Sequence, residues 1–181
     1  MKKISFFSFL ITLFLLNNSN LIHAQKRDGE KRFPEDFISF FTGKWHGQGE
    51  FASGMSIQAD LSFEMTLDGT WMIYHHTDGP PTSFKATSMW GVDKWTGEFK
   101  AHIFDNFKGH RSFESQGWKN DKLILTTKRK LPNGDIQFER FVYEKLSPDR
   151  FKMTFAISKD KANWRMFDYL IFNRSDEDFN N

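Results

Sequence analysis

The sequence predicts an all-β fold: a single antiparallel, up-and-down barrel of about ten strands behind a short N-terminal helix. Three observations carry this expectation. From Ser56 to Leu67 apolar and polar residues alternate without a break, with Ile57, Ala59, Leu61, Phe63, Met65 and Leu67 set against Ser56, Gln58, Asp60, Ser62, Glu64 and Thr66. That period of two gives a strand one dry and one wet face. Turn signals then recur about every 8–12 residues, leaving no room for a crossover helix. Every connection reads as a short hairpin, so closing the meander leaves no free edge.

Taken in order, residues 1–24 carry the layout of a secretory leader. Lys2 and Lys3 are the basic start, Ile4 to Leu16 an apolar run, and Ala24 a small residue at the expected cleavage point. The apolar run falls short of the roughly 20 residues a spanning helix needs, so no stable membrane anchor is expected. Residues 25–32 are charged and read as a disordered linker, residues 33–175 as the barrel domain, and residues 176–181 as a tail. Phe33-Pro34-Glu35-Asp36 opens a helical turn whose Pro and acids suit a helix start. Phe37, Phe40 and Phe41 follow on one face, as a lid or plug would require.

Strands are expected over Lys44–Ala52, Ser56–Leu67, Thr70–Thr77, Phe84–Val92, Glu98–Asp105, His110–Gln116, Lys122–Leu131, Ile136–Leu146, Phe151–Ser158 and Trp164–Arg174. Asp68-Gly69, Asp78-Gly79-Pro80-Pro81, Asp93 to Gly97, Lys108-Gly109 and Pro132-Asn133-Gly134-Asp135 supply the turns between several of them. Gly47 and Gly49 in the first strand provide the bend that closing a small barrel needs.

Composition narrows the function. The chain of 181 residues has 22 Phe and 6 Trp, material for a core or for the wall of a concave pocket. It has no Cys, which excludes thiol nucleophiles, thiolate metal sites and disulfide stapling. Loss of Lys2 and Lys3 with the leader would bring the 25 Lys and Arg level with the 23 Asp and Glu. A neutral domain of that kind lacks the phosphate-neutralising surface of a nucleic-acid binder. Gly47-Gln48-Gly49-Glu50-Phe51-Ala52 matches the dinucleotide fingerprint in spacing only, since an alternating strand follows it rather than a helix.

Gly43-Lys44-Trp45 on the first strand, behind a short helix, resembles the Gly-x-Trp motif of the lipocalin/calycin superfamily. Met89-Trp90-Gly91-Val92-Asp93, Gly97-Glu98-Phe99, Phe104-Asp105-Asn106, Trp164, Asp168-Tyr169 and Arg174 are similar to an uncharacterised family of exported bacterial lipocalin-like domains. The likeness spans Phe37 to Arg174, although the lipocalin Thr-Asp-Tyr element is missing. It implies a calycin-like barrel, export to the periplasm or medium, and a closure clasp in which Arg174 caps Trp45. The related nitrobindin-like haem barrels bind iron through a late His. This chain has none after His110, so no cofactor is expected.

Strand phase then nominates a cavity. With Phe84, Ala86, Ser88 and Trp90 inward, Lys85 and Thr87 face water. With Phe138 and Val142 inward, Arg140 goes with them, and Met166, Leu170 and Phe172 carry Asp168. An arginine and an aspartate on an apolar face need each other or a ligand. Phe63, Trp71, Trp90 and Phe155 are expected to supply contact area, and Glu114 and His75 further polar contacts. His75 and His76 point to opposite faces and cannot share an ion, and no other histidine has a partner at i+2, so no metal is expected. The leading expectation is a carrier of a small apolar or amphipathic molecule. The alternative is a cavity enzyme of the isomerase, cyclase or hydrolase type, with His75 or His102 as its titrating group.

Overall fold

The computed structural model describes residues 31–176. The expected leader, most of the linker and the tail beyond Asp176 lie outside the described residues. Within them the chain forms one short helix and ten strands: α1 Glu35–Phe41, β1 Gly43–Phe51, β2 Ser56–Thr66, β3 Trp71–Asp78, β4 Lys85–Val92, β5 Phe99–Asp105, β6 His110–Ser115, β7 Lys122–Lys130, β8 Ile136–Ser147, β9 Arg150–Ser158 and β10 Arg165–Ser175. The strands close into a barrel in which each pairs antiparallel with its neighbours in sequence and β1 pairs with both β2 and β10. The expected all-β, ten-stranded, up-and-down barrel is what the chain folds into. No helix is long and apolar enough to cross a membrane among the described residues.

Local sequence explains the element ends. Pro34 precedes α1 with an extended φ and ψ, and Glu35 and Asp36 sit in its first turn. There they favour the exposed N–H groups of the helix start. The turn after β2 needs three successive left-handed residues, Leu67, Asp68 and Gly69. The first strand runs so close to the last that side chains are excluded. A Cβ on Gly49 would collide with the main chain of Tyr169 and Leu170, and one on Gly47 with the Phe172 ring. Gly49 therefore serves close approach of two backbones and Gly47 makes room for the Phe172 ring, beyond the bend expected from sequence.

One seam is weak. β6 and β7 share a single paired position, Glu114 with Thr126, whereas β7 and β8 pair over the whole of β7. Side chains reinforce it: Arg111 on β6 and Arg129 on β7 both reach Glu139 on β8, at 3.1 and 3.5 Å.

The even-numbered hairpin turns gather at one end of the barrel and the odd-numbered at the other. α1 closes the first end. Its Phe37, Phe40 and Phe41 enter the barrel and pack on Phe63, Trp90, Phe99, Phe151 and Trp118, with ring centroids 5.2 to 6.3 Å apart. Burying each such ring contributes about 1.5–3 kcal/mol before any term for aromatic geometry. Trp45 is fully buried below them and donates its indole N–H to the Phe41 carbonyl at 2.9 Å. Arg174 lies over the Trp45 ring at 4.3 Å and donates to the carbonyls of Phe40 and Thr42 at 2.8 and 2.9 Å. Asp149 holds the same guanidinium through Nε at 2.8 Å. One arginine thus ties the last strand to the helix and the first strand, in the place the clasp was expected.

Candidate functional site

At the end opposite the helix the barrel is hollow. A cavity of about 440 Å³ opens between the β3–β4 loop (79–84), the β5–β6 loop (106–109) and Phe167. Most of its wall is apolar, from Ile57, Phe84, Ile103, Phe141, Met153, Phe155 and Leu170 among others. Tyr74, His76, Asp78, Tyr143, Arg111 and Asp168 supply the polar groups. The sequence produces this set simply: Tyr74, His76 and Asp78 occupy alternate positions of β3 and so share its inner face.

The first three form a chain. His76 Nε2–H donates to Asp78 Oδ1 at 2.7 Å, which in the neutral imidazole leaves Nδ1 to accept the Tyr74 hydroxyl at 2.8 Å. Both His76 and the Asp78 side chain are buried. Burial pushes the Tyr74 phenol well above its ordinary range, helped by the neighbouring Tyr143, and burial raises Tyr143 as well. Both tyrosines therefore act as neutral hydrogen-bonding groups.

Asp168 is different. Burial raises its carboxyl from the usual 3.8 to about 7, and the charge of Asp78 adds to the rise, while the Phe155 main-chain N–H pulls the other way. Its Oδ1 is buried without a hydrogen-bond partner. A polar atom enclosed by protein and left unpaired costs about 1–3 kcal/mol, so it marks where a ligand group would be held. A register shift between Met166 and Asp168 sets this side chain inward and turns Phe167 to the rim.

Arg111 has its charge answered within the protein. It donates to Glu139 Oε2 at 3.1 Å and lies 3.5 Å from Asp105 Oδ2. Glu139, almost wholly buried, also accepts from Gln137 at 3.0 Å.

The expected site residues divide into three groups. Asp168 and Phe155 line the cavity. Phe63 and Trp90 point inward but belong to the packed aromatic end and do not reach the empty space. Trp71, His75, Glu114 and Arg140 lie on the outer face, contrary to expectation. Trp71 covers Gly91, His75 meets the Thr87 hydroxyl at 3.1 Å, and Glu114 accepts from Lys100 at 2.8 Å. Arg140 stacks on Trp164 at 4.2 Å.

The reason is the same in each strand: both faces carry apolar residues. In β8, choosing Phe138 and Val142 as the inner set puts Arg140 inside, whereas choosing Phe141 and Tyr143 puts Glu139 inside. Either phase buries a charge, and the protein takes the second, because Arg111 and Gln137 can satisfy Glu139. In β3, Trp71 and Ile73 compete with Met72 and Tyr74, and the winner brings in His76 rather than His75. His102 also sits outside, with Ser112 at 3.0 Å. Of the residues not anticipated, Tyr74, His76 and Asp78 had a legible signal in their i, i+2, i+4 spacing. Glu139, Arg111 and Tyr143 had none apart from the strand phase.

No family model and no curated protein matches the chain. Among solved structures it is similar to Rv2717c from M. tuberculosis, at 10% identity and a TM-score of 0.53 over 79% of this chain and 99% of that one. It is also similar to the S-type phycobiliprotein lyase CPES from Guillardia theta (13% identity, TM-score 0.47, 80% of this chain and 93% of that). A third is a fluorescence-activating β barrel of de novo design, with 10% identity and a TM-score of 0.42 over 77% of this chain and 98% of that one. The first of these likenesses supports the fold assignment and nothing finer: this is a calycin-like barrel of ten strands.

Proposed function

We propose that the barrel binds a small, largely apolar molecule whose hydrogen-bond donor meets Asp168. The observation that carries this reading is the unpartnered, buried Asp168 Oδ1 in an otherwise greasy cavity of about 440 Å³. That volume lies in the range of small-molecule pockets, and the ratio of wall types is the usual one: extensive apolar contact with few polar groups to fix orientation. Tyr74, His76 and Asp78 form a second polar point for a hydroxyl or carbonyl on the same molecule. The leader expected over residues 1–24 goes with a carrier working outside the cytoplasm, as in the exported lipocalin-like family that the motifs resemble.

The test uses 1-aminoanthracene, a flat apolar fluorophore with one amine, against anthracene, which lacks the donor. Fluorescence enhancement on titration with the amine, at least tenfold weaker for anthracene, is the expected result. Equal affinity for the two would remove Asp168 from the site. An Ile103→Trp substitution, which fills the cavity, is expected to abolish both signals.

A second reading has its own support. His76 held between a carboxylate and a phenol, with Asp168 able to give or take a proton near pH 7, is an arrangement that could perform acid–base chemistry on a bound molecule. Under that reading His76→Gln removes turnover of the bound compound while leaving its affinity within a few-fold. Unchanged turnover in that variant would dismiss it.

A further inference from the structure

The rim of the cavity is chemically divided, and the division goes beyond what holding a ligand requires. Going round the open end, one arc is apolar. Phe167 is 47% exposed, Met55 46% and Phe107 68%. Pro80 and Pro81 between them are exposed as well. Large apolar side chains at the surface are ordinary one at a time. Here they stand at the mouth of a greasy cavity, on three loops that the barrel order makes neighbours: 52–55, 79–84 and 106–109. Phe167 joins them through its edge-on contact with Phe51, the last residue of β1, at 5.9 Å.

The remaining arc is basic. Lys128, Lys130, Lys159, Lys161 and Arg165 are all exposed on the loops and strand ends of this same end of the barrel, and Lys108 stands beside Phe107 where the two arcs meet. Exposed acids there are Glu50, Asp135 and Asp160. Asp160 is already committed to its own loop, accepting from the N–H groups of Ala162 and Asn163 at 2.9 and 2.8 Å. At the helix end basic groups meet acidic ones, with Glu98 and Glu114 on Lys100, Glu144 on Lys122 and Asp149 on Arg174. Positive charge therefore collects around the mouth of a chain whose described residues are close to neutral.

From this we infer that the open end docks, mouth down, on an anionic lipid surface. Aromatic and methionine side chains of one arc enter the interfacial layer while lysines of the other meet lipid phosphates, the pairing that holds peripheral proteins on such membranes. A soluble protein partner with an acidic patch would satisfy the basic arc. It would leave unexplained why Met55, Phe107 and Phe167 stand side by side at the entrance to the cavity, where contact with lipid would let an apolar molecule pass without crossing water.

The chain lacks cysteine, so an environment-sensitive dye can be placed at one site at a time, by Phe107→Cys at the mouth and by Leu67→Cys at the helix end. Leu67 is exposed to a similar degree and lies in the turn between β2 and β3, away from the mouth. The labelled full-length protein is mixed with vesicles of phosphatidylcholine alone, or of phosphatidylcholine with phosphatidylglycerol, and no cavity ligand is added. The expected result is a blue shift of the dye at position 107 with the anionic vesicles and none at position 67. Binding should weaken about fivefold for each lysine removed in Lys128→Gln, Lys130→Gln and Lys159→Gln, and should fall with salt. Equal shifts at both positions, equal binding to neutral vesicles, or no vesicle binding would each overturn the inference. Because no cavity ligand takes part, any of those outcomes leaves the fluorophore test of the cavity unaffected.

Discussion

The two ends of this barrel use the same material to opposite effect. At the helix end, alternating strands deliver Trp45, Phe63, Trp90 and Phe151 inward, and α1 fills what remains with three phenylalanines. At the other end the inward positions include Ala86, Ile57 and Ile103, which are smaller, and the polar run Tyr74, His76 and Asp78. No helix among the described residues covers them. The difference lies in what fills the space between the strands: α1 inserts Phe37, Phe40 and Phe41 at one end, while at the other Phe84, Phe141 and Phe155 line a cavity. It divides the labour: the packed end holds most of the ring-on-ring contact, and the open end holds Asp168 and the Tyr74–His76–Asp78 chain.

Substitutions on either side of that division should separate cleanly. The largest effect belongs to the packed end. Phe41→Ala removes a fully buried ring that touches Phe37, Phe40, Phe63, Trp90 and Tyr143, and is expected to cost about 3–5 kcal/mol in denaturant unfolding. A loss under about 1 kcal/mol would mean the helix is an ornament. Next is Arg174→Ala, which strips two carbonyls of their charged donor and uncovers Trp45. About 2–3 kcal/mol is expected, with little recovery in Arg174→Lys, because a point charge cannot reproduce the fork.

Asp168 sharpens the comparison by changing sign. Its folded-state proton is held up to about pH 7, against 3.8 for an unperturbed carboxyl. Below 3.8 the group is protonated in both the folded and unfolded chain, so it adds no pH dependence to stability there. As pH rises toward 7 the unfolded chain gives up its proton first, so stability is lost through that window. Asp168→Asn, which stays neutral, is expected to raise stability at about pH 8 by about 1–3 kcal/mol, to change it little near about pH 4, and to flatten the profile. A variant less stable than the parent at both pH values would refute the burial argument. The same substitution should weaken amine binding. The smallest effect on stability is expected at the cavity wall: Phe155→Ala enlarges a space already empty and should cost about 1–2 kcal/mol, below the Phe41 figure, while lowering affinity for the fluorophore about tenfold.

The strands were legible because alternation and turn chemistry are local. The one-sided run of β2 and the Asn-Gly or Asp-Gly turns could be read without knowing any partner strand, and the Trp45–Arg174 clasp followed from resemblance. The site was legible only in part because it depends on phase, which β3 and β8 leave ambiguous. Both carry large apolar residues on each face: Trp71 is spent covering Gly91 outside, and Phe138 lies under the Lys161 ammonium at 4.8 Å. What decides β8 is that Glu139 finds Arg111 across the β6–β7 seam, a contact between residues far apart in sequence. Phase in such strands is a tertiary property.

The most direct measurement of the central claim is native mass spectrometry of the protein isolated from its own host, run in parallel on the parent and on Ile103→Trp. The parent is expected to carry a retained small-molecule mass that the filled variant lacks, with both folded. A parent at its bare polypeptide mass under conditions that preserve noncovalent complexes, or an adduct of the same mass on both proteins, would contradict it.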